Sequence, residues 1–211
     1  NEKRYKLTLI KKRHRILQLI RPVFILFACV MTLADAVSAS TPTSDEVIQV
    51  KTAWSQDRAR PGDAVALAVV LDIRKGFHIN ADARQIKPMA DFKPFPTKAR
   101  VVEAHDGLTI ETPRYPQAHP IKVDYASNDL MSFDGKTIII LPVKFADQIQ
   151  PGSVKVKMVL EYQACSATYC LFPQKIPREE TIAVAERSAN VSGINKAIFA
   201  NFSSDPSADA S

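Results

Sequence analysis

Beyond residue 46, hydrophobic and polar residues alternate with a period of two. Residues 47–54 place Ile48, Val50, Thr52 and Trp54 on one face, and residues 64–73 place Val65, Leu67, Val69, Leu71 and Ile73 together. Residues 137–145 repeat the pattern with Ile139, Leu141, Val143 and Phe145. The strongest alternation follows Pro151-Gly152, with Val154, Val156, Met158, Leu160 and Tyr162 inward and Lys155, Lys157, Glu161 and Gln163 outward. Successive side chains of a strand point to opposite faces, so each segment predicts a strand with one buried and one wetted face. Shorter strands are predicted over 98–103, 108–112 and 181–185. Arg60-Pro61-Gly62-Asp63 and Lys75-Gly76 supply turns, because proline presets φ and glycine accepts positive φ. Residues 86–96 carry Pro88, Pro94 and Pro96, which removes them from any central strand and leaves an edge or a loop. Pro113, Pro116 and Pro120 mark a second irregular stretch. Seven or eight short strands separated by turns predict an all-β fold, an immunoglobulin-like antiparallel β-sandwich.

The amino-terminal segment reads differently. Eight basic residues fall within the first 21 positions, an apolar run follows from Val23 to Leu33, and Val37-Ser38-Ala39 places small residues where a signal peptidase reads. Residues 1–39 therefore read as a secretory signal peptide. The alternative, a retained anchor, has only 11 clean apolar residues, where a spanning helix needs about 20. The expected division is a signal over 1–39, one sandwich domain over 40–186, and a polar tail over 187–211 with room for a short helix near 192–202. The signal holds eight of the 28 basic residues and two of the 22 acidic ones, so the remainder carries 20 of each. A neutral exported domain has no basic face to explain, which excludes nucleic acid and anionic lipid as partners. The expected location is the periplasm, with no membrane association after cleavage and no cofactor.

Few motifs carry chemistry. Gly135-Lys136-Thr137 echoes a phosphate-binding loop, but Leu130 stands where that pattern needs its first glycine. No nucleophile elbow or distinctive carboxylate pair is present, and His105 and His119 fall in polar, loop-like surroundings that read as solvated. What remains is YQACSATYCLFP over residues 162–173, with Cys165 and Cys170 four residues apart at the end of the strongest strand. Cys29 lies inside the signal. Three uses compete. A structural disulfide closing so short a loop contributes only ~2 kcal/mol in the chain-entropy account, against ~3 for a fifteen-residue loop. A metal site would take the two sulfurs and His78, without a second closely spaced pair to complete the shell. A reversible disulfide needs one sulfur open to in-line thiolate attack, which a tight loop between strands offers.

The same segment resembles the amino-terminal periplasmic domain of DsbD and the related disulfide bond corrector domains. Tyr162, Gln163, Ala164, Cys165, Cys170 and Pro173 match that family's cysteine segment in order. Lys75-Gly76-Phe77-His78-Ile79-Asn80 is similar to its Gly-aromatic/His-Ile motif, and Leu141-Pro142-Val143 to the strand before the cysteine strand. The resemblance implies a thiol:disulfide interchange module, a component of protein-disulfide reduction. It implies that Cys165 and Cys170 cycle between dithiol and disulfide, with Cys170 forming the mixed disulfide and Cys165 resolving it. It further implies aromatic shielding by Phe77, Tyr169 and Phe172, with His78 near the sulfurs, and these four are the candidate substrate-binding residues. The implied electron donor is a membrane thiol reductase or a thioredoxin-like protein, acting in trans on this chain, and the acceptors are oxidised periplasmic proteins. The chain departs from the family pattern in its spacing, four intervening residues where the best-known member has five. An acidic-aromatic cap loop is also not legible; it would fall in residues 113–129, which contain Tyr115 and Tyr125.

Overall fold

A computed structural model describes residues 41–200. The secretory-signal reading of 1–39, Cys29 and the end of the polar tail lie outside the described residues. A single helical turn, α1 (Ser44–Val47), opens the domain. Its first turn is closed by a capping box, Thr43 with Glu46, whose carboxylate accepts from the Thr43 amide at 2.7 Å. Twelve strands follow: β1 (Ile48–Trp54), β2 (Arg58–Ala59), β3 (Ala64–Ile73), β4 (His78–Asn80), β5 (Lys98–Ala104), β6 (Leu108–Ile110), β7 (His119–Ile121), β8 (Leu130–Phe133), β9 (Lys136–Phe145), β10 (Gly152–Tyr162), β11 (Ala164–Cys165) and β12 (Gln174–Val184).

The strands form three four-stranded sheets, in the orders β1-β3-β9-β6, β2-β12-β10-β5 and β11-β4-β8-β7. The first two make the immunoglobulin-like sandwich. Their inward residues share one core: Val65, Leu67, Val69 and Leu71 of β3 and Ile139, Leu141 and Val143 of β9 join Val156, Met158, Leu160 and Tyr162 of β10. Burial of that much branched and aromatic surface, at about 25 cal/mol per Å², is the main term holding the sheets together. The outward face of β10 is a ladder of charge: Lys155 pairs with Glu179 of β12, Lys157 with Glu103 of β5, and Glu161 with Arg100. Such exposed pairs add little stability each, but they keep that face in water.

Two expectations are corrected by packing. The second face of β3 is not polar: Ala66, Ala68 and Val70, with Ile140 of β9, form a separate buried cluster against Ile198 and Phe199. The cover comes from the segment after β12, which the sequence assigned to a polar tail. That segment returns to the sandwich through paired contacts of Asp57 with Ser192, a bridge between Gln56 and Gly193, and an Asn195 amide donating to the Trp54 carbonyl at 2.9 Å. Up to residue 200 it is built of turns, and no helix forms there among the described residues. The strand expected over 181–185 is also longer, beginning at Gln174. Pro177 hid it. Along residues 174–182 β12 pairs only with β10 and leaves its other edge open, so a missing amide hydrogen is tolerated.

The third sheet positions the site. β3 ends at Ile73, turns through Gly76 (φ +87°), and resumes as β4; β10 ends at Tyr162 and resumes after one residue as β11. Ala164 pairs with Ile79 and Cys165 with His78. Two central strands of the sandwich thus deliver the cysteines and the His78 segment to one end of the molecule.

Candidate functional site

Residues 164–171 form a minimal hairpin. The Ser166 amide donates to the Tyr169 carbonyl, Leu171 donates to the Ala164 carbonyl, and the Ser166 hydroxyl oxygen accepts from the Thr168 and Tyr169 amides. The serine side chain thereby replaces solvent for the turn's free donors. Across the hairpin Cys165 and Cys170 are joined as a disulfide, their Cα atoms 3.9 Å apart. The sulfurs are spent on each other, and among the described residues no group of three or more His, Cys, Asp or Glu side chains is placed to hold a metal ion.

The two cysteines sit in different environments. Cys165 is fully buried between β4 and the core, whereas Cys170 is partly exposed. The chain leaving Cys170 is pinned by the opening turn of the domain, distant in sequence: the Ser44 hydroxyl donates to the Phe172 carbonyl at 3.4 Å. With its backbone held, the Phe172 ring stands 87% exposed, and Tyr169 in the turn is 39% exposed. Phe77 lies beneath, buried, its ring meeting Tyr169 edge-on at 6.3 Å and capped by the Arg74 guanidinium at 5.0 Å. The four candidate residues are therefore brought to one place, but unequally. Phe77 and His78 are buried supports, while Tyr169 and Phe172 face outward.

His78 is 3% exposed. Burial disfavours its charged form and lowers its pKa from 6.5, with Asp134 opposing and His119 reinforcing the shift. Between 6.5 and the lower folded value the unfolded chain binds the proton more readily, so stability contributed by neutral His78 is present above pH 6.5 and is lost as pH falls. Thermal unfolding is expected to show this acid-side loss in the native protein and a shallower slope in His78→Gln over the same window. Equal slopes would show that His78 does not carry the effect.

Two loops cover the disulfide. The Asp124 amide donates to the Ala167 carbonyl at 2.8 Å, which ties residues 122–129 to the cysteine turn. The Tyr125 hydroxyl oxygen then lies 3.5 Å from Cys170 Sγ, 3.5 Å from His78 Nε2 and 3.4 Å from the Ser166 carbonyl oxygen. The second loop brings Phe92 to Tyr125, ring centroids 5.2 Å apart, and Asp91, whose carboxylate accepts from the Ser127 amide at 2.8 Å. The Ser127 side chain first, and then its amide, hold the Asp91 carboxyl below its usual range. The loop is anchored on β4, where the Thr97 hydroxyl donates to the Asn80 carbonyl at 2.6 Å and the Asn80 amide donates to Phe95. Of the two tyrosines in residues 113–129, Tyr115 stacks on Phe133 and supports the third sheet from below. Tyr125 covers the sulfur. Asp91 and Phe92 are not legible as site residues in the sequence because their loop shows no periodicity; the one signal is an acidic-aromatic pair among prolines with no strand to serve.

An immunoglobulin-like all-β domain with a disulfide in an aromatic-covered hairpin at one end defines a compact class of protein. Residues 44–180 match the family described as thiol:disulfide interchange protein DsbD, N-terminal, and the chain belongs to that family. Among solved structures, the Neisseria meningitidis DsbD N-terminal domain in its reduced form is similar at 14% identity. That match covers 71% of this chain and 98% of the other, with a TM-score of 0.41. No curated protein sequence matches the chain.

Proposed function

We propose that this protein is a periplasmic thiol:disulfide interchange module, accepting electrons at the Cys165–Cys170 disulfide and passing them to oxidised partner proteins. Family membership supports the reaction class, and the observation that carries the site is the asymmetry of the pair: one sulfur buried, the other partly exposed beside Tyr169 and Phe172. A partner thiolate approaching along the S–S axis meets Cys170 first, and the electron pair leaves on Cys165. Tyr169 and Phe172 supply an apolar rim against which a partner's own active-site surface packs. In this reading a membrane thiol reductase or a thioredoxin-like protein is the donor, and oxidised periplasmic proteins are the acceptors.

A second reading, an immunoglobulin-like binding module with an inert disulfide, is separated by potential. Structural disulfides lie below about −300 mV, and exchange-active ones above. Redox titration of the protein against glutathione and thioredoxin is expected to give a reversible midpoint above that value. A bond that neither couple reduces would favour the inert module.

A further inference from the structure

The Tyr125 hydroxyl has three neighbours and one hydrogen to give. Cys170 Sγ and His78 Nε2 are each 3.5 Å away, and the Ser166 carbonyl oxygen is 3.4 Å away. A ring needed only as a lid would be served by phenylalanine, as Phe92 shows on the adjoining loop. We propose that Tyr125 is a catalytic residue of the exchange, its phenol hydrogen turning from the Ser166 carbonyl and His78 to the Cys170 sulfur as that sulfur becomes a thiolate, with His78 the positioning residue behind it. This rests on the interchange reading above.

The reaction runs in two displacements. A partner thiolate attacks Cys170 Sγ; a bond forms between the partner's sulfur and Cys170, the Cys165–Cys170 bond breaks, and the electron pair leaves on Cys165 Sγ. The partner's second thiolate then attacks the partner's own sulfur in this mixed disulfide. The partner is left oxidised, two electrons have passed to the cysteine pair, and the second electron pair leaves on Cys170 Sγ. The two protons shed by the partner's thiols balance those taken up by the pair. Charge therefore arrives on Cys170 in the second displacement, and the same atom must already carry charge before reduced Cys170 can attack an acceptor. A donor already beside that sulfur favours the thiolate and makes it a better leaving group, and hydrogen bonds to charged groups are the stronger kind.

The surroundings fit a donor rather than a base. Burial pushes the Tyr125 phenol up to about 12, so it keeps its hydrogen at any working pH. His78 is buried and held towards its neutral form. A neutral imidazole carrying its hydrogen on Nε2 donates to the phenol oxygen and leaves the phenol hydrogen free for sulfur; the other tautomer accepts it. The titratable groups acting on His78 are Asp134, after β8, and His119 of β7. They lie 3.3 Å apart as a pair and act on it in opposite directions. The His78 main chain is held in place by its pairing with Cys165.

The test uses the whole protein, chemically reduced, and follows the pH dependence of iodoacetamide alkylation at Cys170, located by mass spectrometry. Tyr125→Phe keeps the ring and removes the hydrogen. It is expected to raise the Cys170 midpoint by about one pH unit, and to slow exchange with a small disulfide about tenfold. His78→Gln is expected to move the midpoint in the same direction by a smaller amount. A Tyr125→Phe protein with the native thermal midpoint and an unchanged alkylation profile would overturn the assignment and leave Tyr125 a lid. The alkylation readout needs no partner, so the two failures are told apart. A native protein that fails to exchange with thioredoxin would sink the interchange reading and the catalytic role with it. An unchanged Tyr125→Phe alkylation profile would sink the role of Tyr125 alone.

Discussion

Cys170→Ala is expected to abolish thiol exchange, whereas Cys165→Ala is expected to accumulate a mixed disulfide with an oxidised partner. Both variants lose the same short covalent loop, a stability change of ~2 kcal/mol in either case, so stability cannot separate them. Position does. Cys170 is partly exposed, lies under the Tyr125 hydroxyl and is flanked by outward-facing Tyr169 and Phe172. With Cys165 absent, Cys170 still attacks, but the site has no second thiol to carry the reaction forward, and only back-attack by the partner's own second thiol can release the partner. Cys165 is fully buried behind β4 and is out of reach of a protein-borne sulfur. Incubation with oxidised thioredoxin, non-reducing electrophoresis and mapping of the linked peptide would read the result. Equal trapping through Cys165 in the Cys170→Ala protein would refute the division of roles.

The largest stability effect is expected in the sandwich, away from the sulfurs. Leu67 and Leu141 are cross-strand partners at the centre of β3 and β9, and both are fully buried in the shared core. Leu67→Ala removes buried methyl groups and leaves a cavity that neighbouring β-strands cannot close without breaking register. The expected loss is about 2–5 kcal/mol, a fall of roughly 5–15 °C in the unfolding midpoint for a domain of this size. Val102→Ala, at a site 49% exposed on β5, is the control, expected within about 0.5 kcal/mol of the native protein. Urea unfolding of the two side by side would decide it, and comparable losses would mean that the core does not lie between the sheets.

Alternation found the central strands well. The span 64–73 coincides with β3, and 137–145 and the run after Pro151-Gly152 differ from β9 and β10 by a residue at most. These strands are long, and each side chain's facing is dictated by the pleat. The short strands β7 and β8 of the third sheet were missed. Each has four residues or fewer, too few to show a period, and β8 owes its pairing to β4 and β7 to β8. The polar reading of β3's second face failed for a related reason. Ala66 and Ala68 are small enough for either environment, and Ile198 and Phe199 decided which one they have.

The cysteine segment, its place after the strongest strand and its likeness to a family were all present in residues 162–173. Local sequence also determined that Cys165 and Cys170 share one turn, because four intervening residues and a serine able to satisfy the turn leave little else. What covers them was a matter of tertiary structure. Tyr125, Phe92 and Asp91 come from two loops with no period of their own, carried over the disulfide by single anchors at Ala167, Ser127 and Asn80. The inequality of the two sulfurs likewise arises from long-range pairing. β4 closes over Cys165 and leaves Cys170 at the rim, and strand pairing between residues 78 and 165 is a contact that neither segment's own pattern encodes.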